Sequence, residues 1–206
     1  MGVFPDIGPV VGAALTGRLP EAEVRAEIAR QIDAFVDHLG APPDFVDGHQ
    51  HVQVLPGVRG WLIDELAQRG WAGKVWLRDS RDQLRAILAR RVEAPKAAQV
   101  AALAIGFAAR ARAGGFQVNQ GFAGFSAFDP ARDYAADFET YLIAPGPRHL
   151  VMCHPGHVDA ELATVDSVLA SREAELNFLL SDGLPAALAR LGARLGRWNG
   201  GELTRY

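Results

Sequence analysis

The chain has 206 residues, enough for one sizeable core, and its 49% hydrophobic and 22% charged content is ordinary for a globular protein. A formal net charge of −3 excludes the basic footprint of a nucleic-acid binder. The single cysteine, Cys153, excludes an internal disulfide and suits a reducing, cytoplasmic compartment.

Residues 1–19 carry Gly and Pro with no sustained period and read as an irregular lead-in. Asp6 and the lack of a basic start argue against a signal peptide. Residues 20–38 predict a helix, because Val24, Ile28, Ile32 and Phe35 recur on one face, and Gly40 then Pro42-Pro43 stop it. Residues 44–55 read as a strand ended by Pro56-Gly57, residues 61–68 as a short helix and residues 74–77 as a short strand. Ser80 is the expected cap of a helix over 80–92, with Gln83 at the capping-box position. Pro95 opens a long helix that runs to Gly114-Gly115; its apolar part, 97–109, is too short to span a bilayer and reads as a buried core helix. Residues 116–128, rich in Gly and Phe, read as a loop. A helix over 133–142, a strand over 148–153 ending in a His-Pro-Gly turn, helices over 171–180 and 184–191 and a last strand over 194–198 follow. Ser171 is the expected N-cap, and Glu173 and Glu175 suit the helix dipole.

Strands alternating with helices predict an α/β fold, layered or barrel-like, with a mainly parallel sheet in one domain over 1–206. Functional groups in such folds gather beyond the carboxyl ends of strands, and two His-bearing segments fall there.

The first is Val46-Asp47-Gly48-His49-Gln50-His51-Val52-Gln53. If it is a strand, Asp47, His49, His51 and Gln53 share one face. Leaving such groups buried and unpaired costs about 1–3 kcal/mol each, so a metal, a substrate or water must meet them. Imidazole is a common ligand of divalent metals, which makes His49 and His51 candidate ligands, with Asp47 beside them as an orienting or catalytic carboxylate. A solvated strand end is the alternative. The second is Met152-Cys153-His154-Pro155-Gly156-His157, whose turn delivers His154 where a general acid or base would sit; a turn histidine bonded to backbone is the alternative. Cys153 points away from His154 on a strand and is better read as a small buried residue than as a nucleophile. The third, Asn119-Gln120-Gly121-Phe122-Ala123-Gly124-Phe125-Ser126-Ala127-Phe128, is either a sugar-stacking loop or one anchored by its aromatics, and is not a dinucleotide fingerprint.

Pro43-Asp44-Phe45-Val46-Asp47-Gly48-His49-Gln50-His51-Val52 through Leu55-Pro56, Gly121-Phe122-Ala123-Gly124-Phe125, Met152-Cys153-His154-Pro155-Gly156-His157-Val158-Asp159 and Arg172-Glu173-Ala174-Glu175-Leu176 together resemble the YdjC-like (ChbG/HpnK) carbohydrate deacetylases over residues 19–198. The resemblance implies an incomplete, distorted (β/α) barrel and a divalent metal, magnesium by family, with zinc or manganese compatible. It implies removal of N-acetyl groups from amino sugars or oligosaccharides. His49 matches the family's strand ligand and His154 its turn acid; Asp47 and His51 would support the metal or touch substrate. Family members open with Asn-Ala-Asp-Asp-Phe-Gly and carry a later His-x-x-Leu-Thr, neither of which stands in this sequence. A start placed too far downstream or a deletion would account for that. The alternative function is a catalytically inactive fragment that binds sugar or a partner chain, and a third is an unrelated metal hydrolase on the same fold. An N-acetylated sugar is the expected partner, with no nucleic acid and no membrane span; a homo-oligomer is left open.

Overall fold

The computed structural model describes residues 6–199 and 202–205. In chain order the elements are α1 (Ile7–Leu15), α2 (Glu21–Leu39), β1 (Phe45–Val46), α3 (Val58–Gln68), β2 (Trp76–Leu77), α4 (Leu84–Arg90), α5 (Ala94–Leu103), α6 (Phe107–Ala113), β3 (Gln117–Val118), β4 (Phe122–Ala123), α7 (Tyr134–Tyr141), β5 (Leu150–Val151), α8 (Leu162–Val165), α9 (Ala170–Leu180), α10 (Gly183–Arg190), β6 (Gly196–Asn199) and β7 (Glu202–Arg205). Among the described residues the strands form a three-stranded sheet β1-β2-β3 and two two-stranded sheets, β4-β5 and β6-β7. The pairs β1-β2, β2-β3 and β4-β5 are all parallel, so the fold is mixed α/β with mainly parallel strands, and the described sheets do not close into a barrel.

The chain divides into two compact units, residues 1–81, 100–119 and 197–204 in the first, and 82–99, 120–196 and 205–206 in the second. The first is built on the β1-β2-β3 sheet, where Val54, Leu66, Leu77, Phe107, Ala111 and Phe116 are wholly or almost wholly buried in one cluster. The second centres on Tyr134, Phe138, Tyr141 and Phe178, with the Phe138 and Phe178 rings 5.1 Å apart. No described helix is long and apolar enough to cross a membrane.

Most expected elements form, and the departures have local causes. The lead-in contains α1, because Val10, Val11 and Ala14 share a face and pack against Leu55 and Val58; residues 1–5 of that segment lie outside the described residues. Helix α2 ends as expected on left-handed Gly40, but Phe35 is exposed and Ile32 is the buried residue of its stripe. The long helix breaks into α5 and α6, because Gly106 adopts φ 86° and so caps the second piece, and Ile105 beside the break is exposed. Two expected caps are not caps. Helix α4 begins after Gln83, leaving Ser80 buried in other bonds, and α9 begins after Leu169, which puts Ser171 inside its first turn.

The strand expected over 44–55 is the largest departure. It stops at Val46, and His49–Val54 is a 3-10 turn in which Gln50 and His51 have φ values of 50° and 65°. The alternation that would have aligned Asp47, His49, His51 and Gln53 therefore fails. Two consecutive left-handed residues without glycine cost on the order of 1–3 kcal/mol each and persist only where surrounding bonds hold them.

Candidate functional site

Parallel pairing puts the carboxyl ends of β1, β2 and β3 on one edge, and the first residues beyond the pairing are Asp47, Arg78 and Asn119. Arg78 is the centre of this edge. It is buried, at 3% exposure, and its backbone N–H continues the sheet to the Val46 carbonyl at 3.1 Å. Its guanidinium forms a salt bridge with Asp47 and donates to the Gly48 carbonyl at 2.8 Å, to the Ser80 hydroxyl at 3.0 Å and to Nδ1 of His51 at 2.7 Å. The Ser80 hydroxyl also lies 3.0 Å from His51 Nδ1, and buried Gln53 donates to the Arg78 carbonyl at 3.0 Å and to Ser80 at 3.2 Å. Burial pulls the guanidinium below its ordinary pKa and Asp47 opposes that; arginine stays charged throughout.

Beside it, Asn119 locks Asp79 by a reciprocal pair: it accepts from the Asp79 N–H at 2.7 Å and donates to the Asp79 carbonyl at 2.9 Å. The Asp79 carboxylate accepts from the Arg81 N–H at 3.0 Å. Burial pushes this carboxyl up to about 6, against the lowering effect of that bond and of the Arg81, Arg112 and Arg78 charges.

In the second unit, β5 leads into Met152-Cys153-His154-Pro155-Gly156. Gly124 lies beside it at φ 102°, where an added Cβ would strike the Met152 backbone. The His154 N–H donates to the Glu175 carboxylate at 2.5 Å. Glu175 is buried at 1% exposure; burial pushes its carboxyl up, opposed by that N–H and by Arg172. The Phe128 ring stands edge-on to the His154 imidazole, centroids 5.0 Å apart, and Lys96 Nζ lies 5.1 Å from the Phe128 centroid. The fold thus holds the backbone of His154 firmly and leaves its half-buried ring against an aromatic edge.

Of the residues expected from sequence, Asp47 and His51 are brought together through Arg78. His49 is exposed and outside that cluster, and His154 belongs to the second unit. Cys153 is exposed, not buried, because β5 has already ended at Val151. A divalent ion requires converging lone pairs. Among the described residues no group of three His, Cys, Asp or Glu side chains could hold one, and Asp47 and His51 converge on a guanidinium instead. These residues do not by themselves fit a resident metal.

Sequence reasoning missed Arg78, gave Ser80 and Glu175 only helix-end roles, and quoted Asn119 without a role of its own. The signal for Arg78 and Ser80 is a polar Arg-Asp-Ser run directly after β2; Glu175 stands in a motif of the resemblance, but the helix dipole explains its acid equally well.

A parallel-stranded α/β protein with polar clusters beyond two strand ends defines the class of protein. Residues 2–190 match the family model for YdjC-like protein, and the chain belongs to that family. It is similar to a chitooligosaccharide deacetylase of Klebsiella pneumoniae (strain 342), 31% identical over 189 residues, which are 88% of this chain and 62% of the relative. A carbohydrate deacetylase of Mus musculus is 48% identical over 76 residues, 32% of this chain and 24% of that protein. A solved protein of Enterococcus faecalis V583, named for cellobiose-phosphate cleavage, shares the fold with a TM-score of 0.58 at 17% identity, over 90% of this chain and 62% of that one. The chain therefore spans 62% of the length of its bacterial deacetylase relative.

Proposed function

We propose that the chain carries part or all of a carbohydrate deacetylase, which hydrolyses the acetamide of an N-acetylated amino sugar to acetate and a free amine. The observation that carries this reading is the 31% identity to a chitooligosaccharide deacetylase across 88% of the chain. His154 is the acid: in its protonated form it gives a proton to the leaving nitrogen as the C–N bond breaks, because an amine leaves poorly as an anion. The attacking water loses its proton to a carboxylate. Asp47 is the candidate the sequence offers, and one of its carboxylate oxygens is engaged in a salt bridge with Arg78. A divalent cation, magnesium first and zinc or manganese compatible, belongs to this reading through the resemblance alone. The chain's offer to it is the exposed His49; His51, the second imidazole of the sequence pattern, is turned onto Arg78 and Ser80 instead. The strands are read as part of a distorted (β/α) barrel, and the lone Cys153 keeps the reading in the cytoplasm.

Release of acetate from an N-acetylated chitooligosaccharide, abolished in His154→Ala with sugar binding retained, is the expected result. A second reading, a sugar- or partner-binding module without turnover, is favoured by the engagement of Asp47 with Arg78. Sugar binding by calorimetry with no acetate released, with or without added magnesium, would establish it and end the enzymatic one.

A further inference from the structure

The donors Arg78 and Gln53 around His51 Nδ1 and Ser80 direct where the protons sit. Arg78 has only N–H donors, so the group it meets at 2.7 Å, Nδ1 of His51, must accept. Ser80 Oγ accepts from Arg78 at 3.0 Å and from Gln53 at 3.2 Å, which leaves its single proton to point at His51 Nδ1, 3.0 Å away. Nδ1 therefore carries a lone pair engaged twice. In a neutral imidazole the proton then sits on Nε2.

We infer that His51 is held by Arg78 as the Nε2–H tautomer, whose outer ring nitrogen is a hydrogen-bond donor and not a metal ligand. A metal needs a ring nitrogen with its lone pair available. Nδ1 gives its lone pair to a guanidinium and a hydroxyl, and Nε2 has a proton where the lone pair would be. The atom that meets Nε2 is an acceptor: a hydroxyl, carbonyl or carboxylate oxygen. The left-handed backbone at Gln50 and His51 is what turns the ring back onto Arg78 and Ser80, and the bonds made there offset its strain. Arg78 is the positioning residue. Its guanidinium is buried, charged and tied to Asp47 and Gly48, so it cannot turn to offer an acceptor in place of a donor.

This assignment is independent of the deacetylase reading, since it follows from bonds within the chain, and acetate release tests that reading separately. The experiment is nitrogen-15 NMR of the full chain labelled at the histidine rings, with the His51 signals assigned by their loss in His51→Gln. The expected spectrum at mildly alkaline pH shows a protonated-type Nε2 and an unprotonated-type Nδ1 for His51, neither shifted when excess zinc is added. Arg78→Gln is expected to bring the two signals toward each other as the tautomers mix, while Ser80→Ala leaves them apart. A His51 Nε2 that is unprotonated, or that loses its proton on adding zinc, overturns the assignment. A tautomer that changes in Ser80→Ala overturns the role of Arg78, and this variant decides that point even if Arg78→Gln does not fold.

Discussion

The backbone N–H of His154 donates at 2.5 Å to the carboxylate of Glu175, one of the most deeply buried side chains of the described structure. This bond ties the segment after β5, which carries His154, to helix α9. Glu175→Ala would leave the N–H without its acceptor, at a cost of about 1–3 kcal/mol before any loss of packing. Glu175→Gln keeps an acceptor and is expected to cost less. Urea denaturation of both variants checks the order; equal stabilities would show that the bond does not hold this segment to α9.

Asp79 gives a pH dependence with a definite sign. Its folded carboxyl is pushed from 3.8 up to about 6 by burial, so between these pH values the folded state binds the proton more tightly than the unfolded chain. Its contribution to stability is therefore present at pH 4 and is lost as pH rises through 6. Asp79→Asn removes the titration and retains an oxygen for the Arg81 N–H. Its stability relative to the parent should improve by about 2–3 kcal/mol between pH 4 and pH 7.5, measured by denaturant melts at both values. A difference independent of pH would refute the burial argument.

In the second unit Arg90 and Asp82 form an ion pair at 2.7 Å with side chains 5% and 7% exposed. The same guanidinium donates to the Phe122 carbonyl at 3.0 Å and the Ile143 carbonyl at 3.0 Å, and Asp82 accepts from the Phe122 N–H at 3.2 Å. Asp82→Ala strands a buried cation and should cost about 3–5 kcal/mol. Thermal unfolding monitored by circular dichroism measures it, and a loss below about 1 kcal/mol would mean that water replaces the carboxylate.

Gly124 has two reasons to be glycine: its φ of 102°, and the Met152 backbone where a Cβ would fall. Gly124→Ala should destabilise by about 1–3 kcal/mol from the dihedral alone, and more from the collision. Gly8→Ala, at a helical position with nothing within 4 Å of an added Cβ, is the contrast and should not destabilise.

Helices α2, α3, α7, α9 and α10 were legible in the chain because their signals lie within a few consecutive residues: an apolar stripe, Gly40 after the last turn, Asp133 accepting from two backbone N–H groups. The His-x-His segment was not. Alternation predicts a strand there, and nothing local announces two left-handed residues whose strain is met by Arg78, 27 residues away from His51.

Composition, the existence of most helices, the parallel α/β class and the histidines and Asp47 singled out above all reside in short stretches of sequence, where periodicity acts between near neighbours. The partners of those residues do not. Parallel pairing joins strands distant in sequence, and its register alone decides that Asp47, Arg78 and Asn119 share one edge. A guanidinium thus stands where the linear pattern suggested a metal, because charge in a protein interior is matched across the fold and not along the chain.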